Sequence, residues 1–225
     1  MKYYQVRLDV EVTGVQDGLY QIEIDKLKMQ NNIDSQKFLS FFNYKNSNIW
    51  NEQDKIYKFA IPSITAKLLK KATITDVMGY TPSISFLNLA FSKKFIDIIK
   101  TFNIGQHNVF EIIIEKIPVK YYLMFIETIR LDEIKYEKSK VVTGFRILTH
   151  HNIKSIEEYR DFNEKNPVHR FEKISISEKH FGKDIIKIQG AGEPFYSEKL
   201  IDFLLDCKIT GMKVAYNNST ELDFY

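Results

Sequence analysis

Four histidines invite a metal reading, the adjacent His150-His151 with His169 and His180, because imidazole suits zinc and its neighbours. Neighbouring residues on a strand point to opposite faces, so at most one of the adjacent pair can join a shared site. No paired cysteines and no H-E-x-x-H helix accompany them, and the sequence is expected to hold no metal. Gly190-Ala191-Gly192 follows a predicted strand, but a third glycine is missing and Glu193 would repel a phosphate. These glycines read as a chain reversal, and no cofactor is expected. Asp132-Glu133 and Glu157-Glu158 offer acid and base groups, yet only a cleft that brought two carboxylates face to face would make them catalytic. They read as solvated surface. There is no G-x-S-x-G elbow, and the single cysteine, Cys207, lies on an apolar helical stripe, a poor setting for a nucleophile. No catalytic residue is assigned, and the chain reads as a non-enzyme.

The elements behind these residues are organised around the stretch from Phe195 to Val214. Ser197 is placed as an N-cap with Glu198 in the first turn, and Leu200, Ile201, Leu204 and Cys207 recur at helical spacing. A turn at Thr210-Gly211 then leads to a short apolar run. An approximate copy lies 105 residues upstream, where Ser92 takes the cap position and Phe95, Ile96, Ile99 and Phe102 form the stripe. Lys94, Ile96, Asp97, Ile104 and Val109 match Lys199, Ile201, Asp202, Ile209 and Val214 identically. Lys2-Tyr3-Tyr4 likewise recurs as Lys120-Tyr121-Tyr122, 118 residues on. The pattern fits either an internal duplication or a repeated packing solution.

Taken in order, Tyr4 to Val12 alternates as a strand and Gly14 with Asp17-Gly18 supplies turn chemistry before Leu19 to Ile24, which predicts an opening hairpin. Asp34 or Ser35 is expected to cap a short helix through Phe42. A loop from Asn43 to Asp54 carries Trp50, expected to fold back onto the core. Ile56 to Ile61 reads as a strand ended by Pro62, and Val109 to Ile114 as a central strand covered on both faces. Val141 to Thr149 reads as one strand, Ser155 to Asn163 as an acidic helix, and Lys183 to Gln189 as the last strand before the closing helix. The tail from Asn217 to Tyr225 is expected to fray. The fold class predicted is α+β, a largely antiparallel sheet with two similar serine-capped helix-turn-strand units. It would form a single compact domain over 1–225, or two packed lobes, 1–117 and 118–225.

Composition narrows the function. Hydrophobic residues make up 44% of the 225, with 17 Phe and 13 Tyr, enough to build a substantial core and to exclude a disordered chain. A formal charge of +3 with pI near 8.7, with the two signs interspersed, does not favour nucleic-acid binding. No stretch approaches the roughly 20 apolar residues of a membrane span, the opening residues lack the apolar run of a signal peptide, and a lone cysteine fits a reducing compartment. The expectation is a cytoplasmic protein with no membrane association.

Several segments in order carry a resemblance: Phe91-Ser92-Lys93-Lys94-Phe95 with its helix, the run Val109 to Ile114, Tyr121-Tyr122 leading to Arg130-Leu131-Asp132-Glu133-Ile134, and Phe195-Tyr196-Ser197-Glu198-Lys199-Leu200 through Ile209-Thr210-Gly211-Met212. Together they resemble the eleventh numbered family of immunity proteins from bacterial polymorphic-toxin systems, in patches from Ile74 to Val214. The resemblance implies a cytosolic protein, encoded beside a secreted toxin, that binds and blocks that toxin by occlusion or charge complementarity. It carries over no catalytic residue. Glu157, Glu158, Asp161 and Glu164 on the acidic helix are the candidate partner-binding surface. The rival readings are an enzyme of unrecognised class, which needs histidines and carboxylates converging in a pocket, and a nucleic-acid-binding or regulatory module, which needs gathered Lys and Arg.

Overall fold

The computed structural model describes residues 1–15, 18–59, 61, 63–217 and 219–225. The first part of the chain runs β1 (Tyr3–Leu8), β2 (Ile22–Ile24), α1 (Lys26–Gln30), α2 (Ile33–Phe41), β3 (Ile64–Leu68), β4 (Val77–Met78), β5 (Tyr80–Thr81), β6 (Ala90–Ser92), α3 (Lys93–Ile99), β7 (His107–Ile114) and β8 (Tyr121–Ile126). The rest runs β9 (Thr128–Ile129), β10 (Lys140–Thr143), β11 (Thr149–His151), α4 (Ile156–Lys165), β12 (His169–Ile176), β13 (Ile185–Ile188), β14 (Phe195–Ser197), α5 (Glu198–Asp206), β15 (Met212–Val214) and β16 (Glu221–Phe224). The fold is α+β, with mostly antiparallel ladders and some parallel ones, such as β3 with β7 and β12 with β16. Packing divides it into two compact units. One comprises Met1–Arg7, Thr128–Ile201 and Val214–Tyr225, the other Leu8–Glu127 and Asp202–Lys213. Each unit draws on both halves of the chain.

In the second unit a seven-stranded sheet, β4-β6-β8-β7-β3-β2-β5, carries α2 on an aromatic layer. Phe38 and Phe42 of that helix lie 4.8 and 5.8 Å from the Phe110 ring of β7. In β7 Phe110, Ile112 and Ile114 are buried while Ile113 is half exposed, so this strand is covered on one face and not on two. The strand buried on both faces is its partner β8, the run Tyr121–Ile126. Trp50 is half-buried and meets the Phe86 ring edge-on at 5.1 Å.

The first unit contains the sheet β11-β10-β12-β16 and a second set of ladders in which β1 pairs with β14, β14 with β13 and β13 with β9. Its core gathers Phe171, Ile174, Ile176, Ile186 and Phe195 with Tyr136 and Tyr159.

The two serine-capped segments match bond for bond. In the second unit the Ser92 hydroxyl accepts from Phe95 N–H at 3.2 Å and donates to Asp76 Oδ1 at 2.7 Å. In the first, the Ser197 hydroxyl accepts from Leu200 N–H at 3.2 Å and donates to Asp184 Oδ1 at 2.6 Å. Each serine N–H also donates to the carbonyl of its aspartate, at 2.7 and 2.9 Å. The strands behind follow suit, with Val77 opposite Phe91 and Ile185 opposite Tyr196. The repeated Lys-Tyr-Tyr strands complete the pattern crosswise. Tyr121 stands opposite Ser92, whereas Tyr3 stands opposite Ser197. The N-terminal strand thus completes the sheet of the later helix, and the strand after α3 completes that of the earlier one. Five equivalent relations at two sites favour duplication over coincidence.

Several expected elements differ. The opening hairpin does not form, because β1 pairs with β14 while β2 pairs with β3 and β5. Asp9 ends β1 by accepting from Glu11 N–H in a turn, which leaves Val10 and Val12 exposed. Asp17 and Pro62, assigned to a turn and a strand end, lie outside the described residues. The region expected as a strand from Ile56 holds a 3-10 turn over Gln53–Lys58, and the strand begins at Ile64. Asn32, not Asp34 or Ser35, caps α2, accepting from both of their N–H groups at 3.0 Å. The α3 helix stops at Ile99, short of Phe102. The predicted strand Val141 to Thr149 is a hairpin, β10 and β11, reversed at Gly144. The tail does not fray as a whole, since β16 pairs in parallel with β12 and Asp223 accepts from the Ser175 hydroxyl at 2.8 Å.

Candidate functional site

Helix α4 forms because Ser155 caps it and because Ile156, Tyr159 and Phe162 share one side. The Ser155 hydroxyl accepts from Glu158 N–H at 3.2 Å, and the Glu158 carboxylate accepts from Lys154 N–H at 2.8 Å. This is a variant of the reciprocal cap in which the acid reaches one residue further back. On the inner side Tyr159 stacks on Phe171 at 5.2 Å and donates to or accepts from His169 Nε2 at 2.9 Å. Burial raises the Tyr159 pKa. The Phe162 ring lies between His151, at 4.6 Å, and His169, at 5.4 Å, and Asn166 O meets His169 Nδ1 at 2.8 Å. The C-terminal end and the underside of α4 are therefore tied to the sheet.

That leaves Glu157, Glu158, Asp161 and Glu164 exposed, as predicted for a solvated face. Glu157, Asp161 and Glu164 follow one another at four- and three-residue spacing and share a stripe. Hydrogen bonding to its own backbone N–H and to Ser155 holds the Glu157 carboxyl below its ordinary range, with Arg160 adding to the effect. Glu158 belongs to the cap as well as the surface. What the face can do is present fixed negative charge, which complements a basic partner and steers its approach.

Beside the C-terminal end of α4 lies a second exposed feature that sequence reading missed. The β10–β11 hairpin is paired through Val141 with His151, Val142 with His150 and Thr143 with Thr149. At its tip Phe145 and Ile147 are 90% and 86% exposed. Gly144 makes the reversal at φ +90, and a Cβ there would lie 2.2 Å from the Ile147 carbonyl oxygen. Val168, one residue before the Thr143–His169 pair, adds a third exposed apolar side chain. The only sequence signal was an apolar pair beside a glycine, indistinguishable from a buried strand.

The residues weighed for catalysis disperse. His150 faces Glu172 at 3.2 Å on the side of the sheet away from Phe162, His151 meets Thr143, and His180 lies 3.7 Å from Glu133. No group of three or more metal-binding side chains occurs among the described residues. Glu133 caps a turn by accepting from Arg130 N–H and pairs with Lys179 at 2.7 Å, while Asp132 pairs with Arg130. Gly190 and Gly192 both have positive φ between β13 and β14, so the turn joins two strands before the helix begins. Cys207 is partly buried just past the end of α5. Three clefts in the second unit, of about 520, 830 and 450 Å³, are lined by no histidine. In the third, Glu23 pairs with Lys67 at 3.0 Å and Asp25 caps α1, which lowers the Asp25 pKa. One pair stands apart: burial pushes the Lys187 amine down to about 8 and the Glu193 carboxyl up, each opposed by the other's charge.

No helix among the described residues is long and apolar enough to cross a membrane. In comparisons with known proteins, no family model and no curated sequence matches the chain.

Proposed function

We propose that this chain is a non-catalytic binding protein, an immunity protein that occupies and blocks a cognate toxin in the cytoplasm of the cell that makes both. The observation that carries the reading furthest is α4, a helix fixed on its inner side that turns four carboxylates outward. Dispersal of the histidines and carboxylates into caps and ion pairs supports binding over catalysis. The sequence resemblance supplies the partner class, a toxin encoded by an adjacent gene. The mechanism is occlusion: the acidic face meets a basic surface on the toxin and covers it, with complementary charge raising the association rate.

Co-expression with the product of the adjacent gene tests the proposal. A stable complex and restored growth are expected. Reversal of Glu157, Asp161 and Glu164 to lysine should weaken the complex by about 10- to 100-fold at low salt, and Glu158 is left in place because it caps the helix. A harmless neighbour that forms no complex would sink the reading.

A further inference from the structure

The hairpin tip combines three features that point to a particular kind of contact. Phe145, Ile147 and Val168 are exposed by 90%, 86% and 64%, where apolar side chains gain nothing until something covers them. The tip is shaped rather than loose, since three paired positions on each strand hold it and the positive-φ Gly144 allows the Ile147 carbonyl to approach closely. Arg146 at the tip and Arg170, opposite Val142 on the neighbouring strand, are exposed and make no ion pair among the described residues. Lys173 and Lys179 of the same unit, by contrast, each have a carboxylate close by. Aromatic residues and arginine are the side chains that dominate the energetic centre of interfaces.

From these we infer that the β10–β11 hairpin is a docking knob, and that the site it enters is an apolar cleft rimmed by carboxylates on the partner protein. The inference rests on the toxin-binding reading and names the anchor of that contact. Phe145 and Ile147 fill the cleft, and Arg146 and Arg170 pair with its rim. A second copy of this chain does not fit, because an isologous interface places the same patch on both sides and two convex tips cannot enclose one another. An anionic membrane does not fit either. Asp161 and Glu164 of the adjacent helix would be repelled by its surface charge, and two or three apolar side chains give only a weak anchor.

The test measures binding of the purified toxin domain from the adjacent gene to the wild type and to three tip variants. Phe145→Ala with Ile147→Ala should raise Kd about 100-fold, and Arg146→Glu with Arg170→Glu about 10- to 100-fold with a reduced salt dependence. Phe145→Leu should stay within about fivefold of the wild type. Unchanged melting of the free variants is expected, because these side chains are exposed. Wild-type binding with both double variants within about threefold overturns the knob and leaves the toxin reading standing. No complex with the wild type overturns the toxin reading and the knob with it. Tip-dependent flotation with vesicles of phosphatidylcholine and phosphatidylserine, or a dimer of the free chain lost in the tip variants, would assign the tip to a membrane or to self-association and overturn the inference.

Discussion

The serine caps carry more of the structure than a cap ordinarily does. Ser197 is fully buried and binds Asp184, itself 2% exposed, while Ser92 binds Asp76, which is partly exposed and also accepts from Thr210 N–H and hydroxyl at 3.0 Å. Removing the hydroxyl deprives both a helix N–H and a carboxylate of a partner, and the penalty grows with burial. Ser197→Ala should cost about 2–3 kcal/mol and Ser92→Ala about 1–2 kcal/mol, read from urea unfolding midpoints; equal or smaller losses at Ser197 would refute the burial argument. Lys187 makes a pH-dependent prediction. Its amine falls from an ordinary 10.5 to about 8 in the folded chain, so between these values the unfolded state binds more protons and stability rises with pH. Below about 8 both states are protonated and the full penalty is present. Unfolding free energy should therefore climb from pH 8 toward 10, before the tyrosines titrate, and Lys187→Met should flatten the climb.

At the scale of elements, the β10–β11 hairpin and β16 show what a propensity reading overlooks. Gly144 sits in a run that reads as a continuous strand, and only its positive φ turns the chain back. Gly144→Ala should destabilise the first unit by about 1–3 kcal/mol through left-handed strain and the close carbonyl, visible as a lower melting temperature. The tail Glu221-Leu222-Asp223-Phe224 is short and polar enough to read as frayed, yet Lys173 and Ser175 of β12 hold Asp223 and the Phe224 ring lies 5.6 Å from Tyr3. Hydrogen bonding from Ser175, then from Lys173, lowers the Asp223 pKa. Its contribution is present above the ordinary carboxylate value and is lost as pH falls through the lower folded one. Asp223→Asn should therefore leave the variant and the wild type more alike at pH 3 than at pH 7 in unfolding free energy. The acidic helix, by contrast, was legible: Ser155, the Ile156-Tyr159-Phe162 spacing and the outward acids marked its start and its face, although it runs two residues past Asn163 to Lys165.

At the scale of the whole molecule, the crosswise Lys-Tyr-Tyr strands make the fold depend on its first residues. Because β1 pairs with β14, deletion of residues 1–8 should strip hydrogen-exchange protection from β13 and β14 while β7 and β8 keep theirs. Equal loss in both regions would show that the units do not unfold separately.

Local signals therefore determined much of this protein: the caps at Ser92, Ser155 and Ser197, the strands around Tyr4 and from Val109 to Ile114, the repeat itself and the α+β class. Each depends on the spacing of near neighbours, which the backbone geometry of a helix or strand translates directly. Partner choice between strands does not. Tyr3 and Tyr121 stand in identical tripeptides, and nothing local tells either which serine it will face. The same holds for the histidines, of which the sheet turns His150 toward Glu172 and His151 and His169 toward Phe162, and for Phe145 and Ile147, whose exposure depends on a reversal at one glycine. Pairing and burial are set by contacts between residues tens to hundreds of positions apart, and those exist only once the tertiary structure has formed.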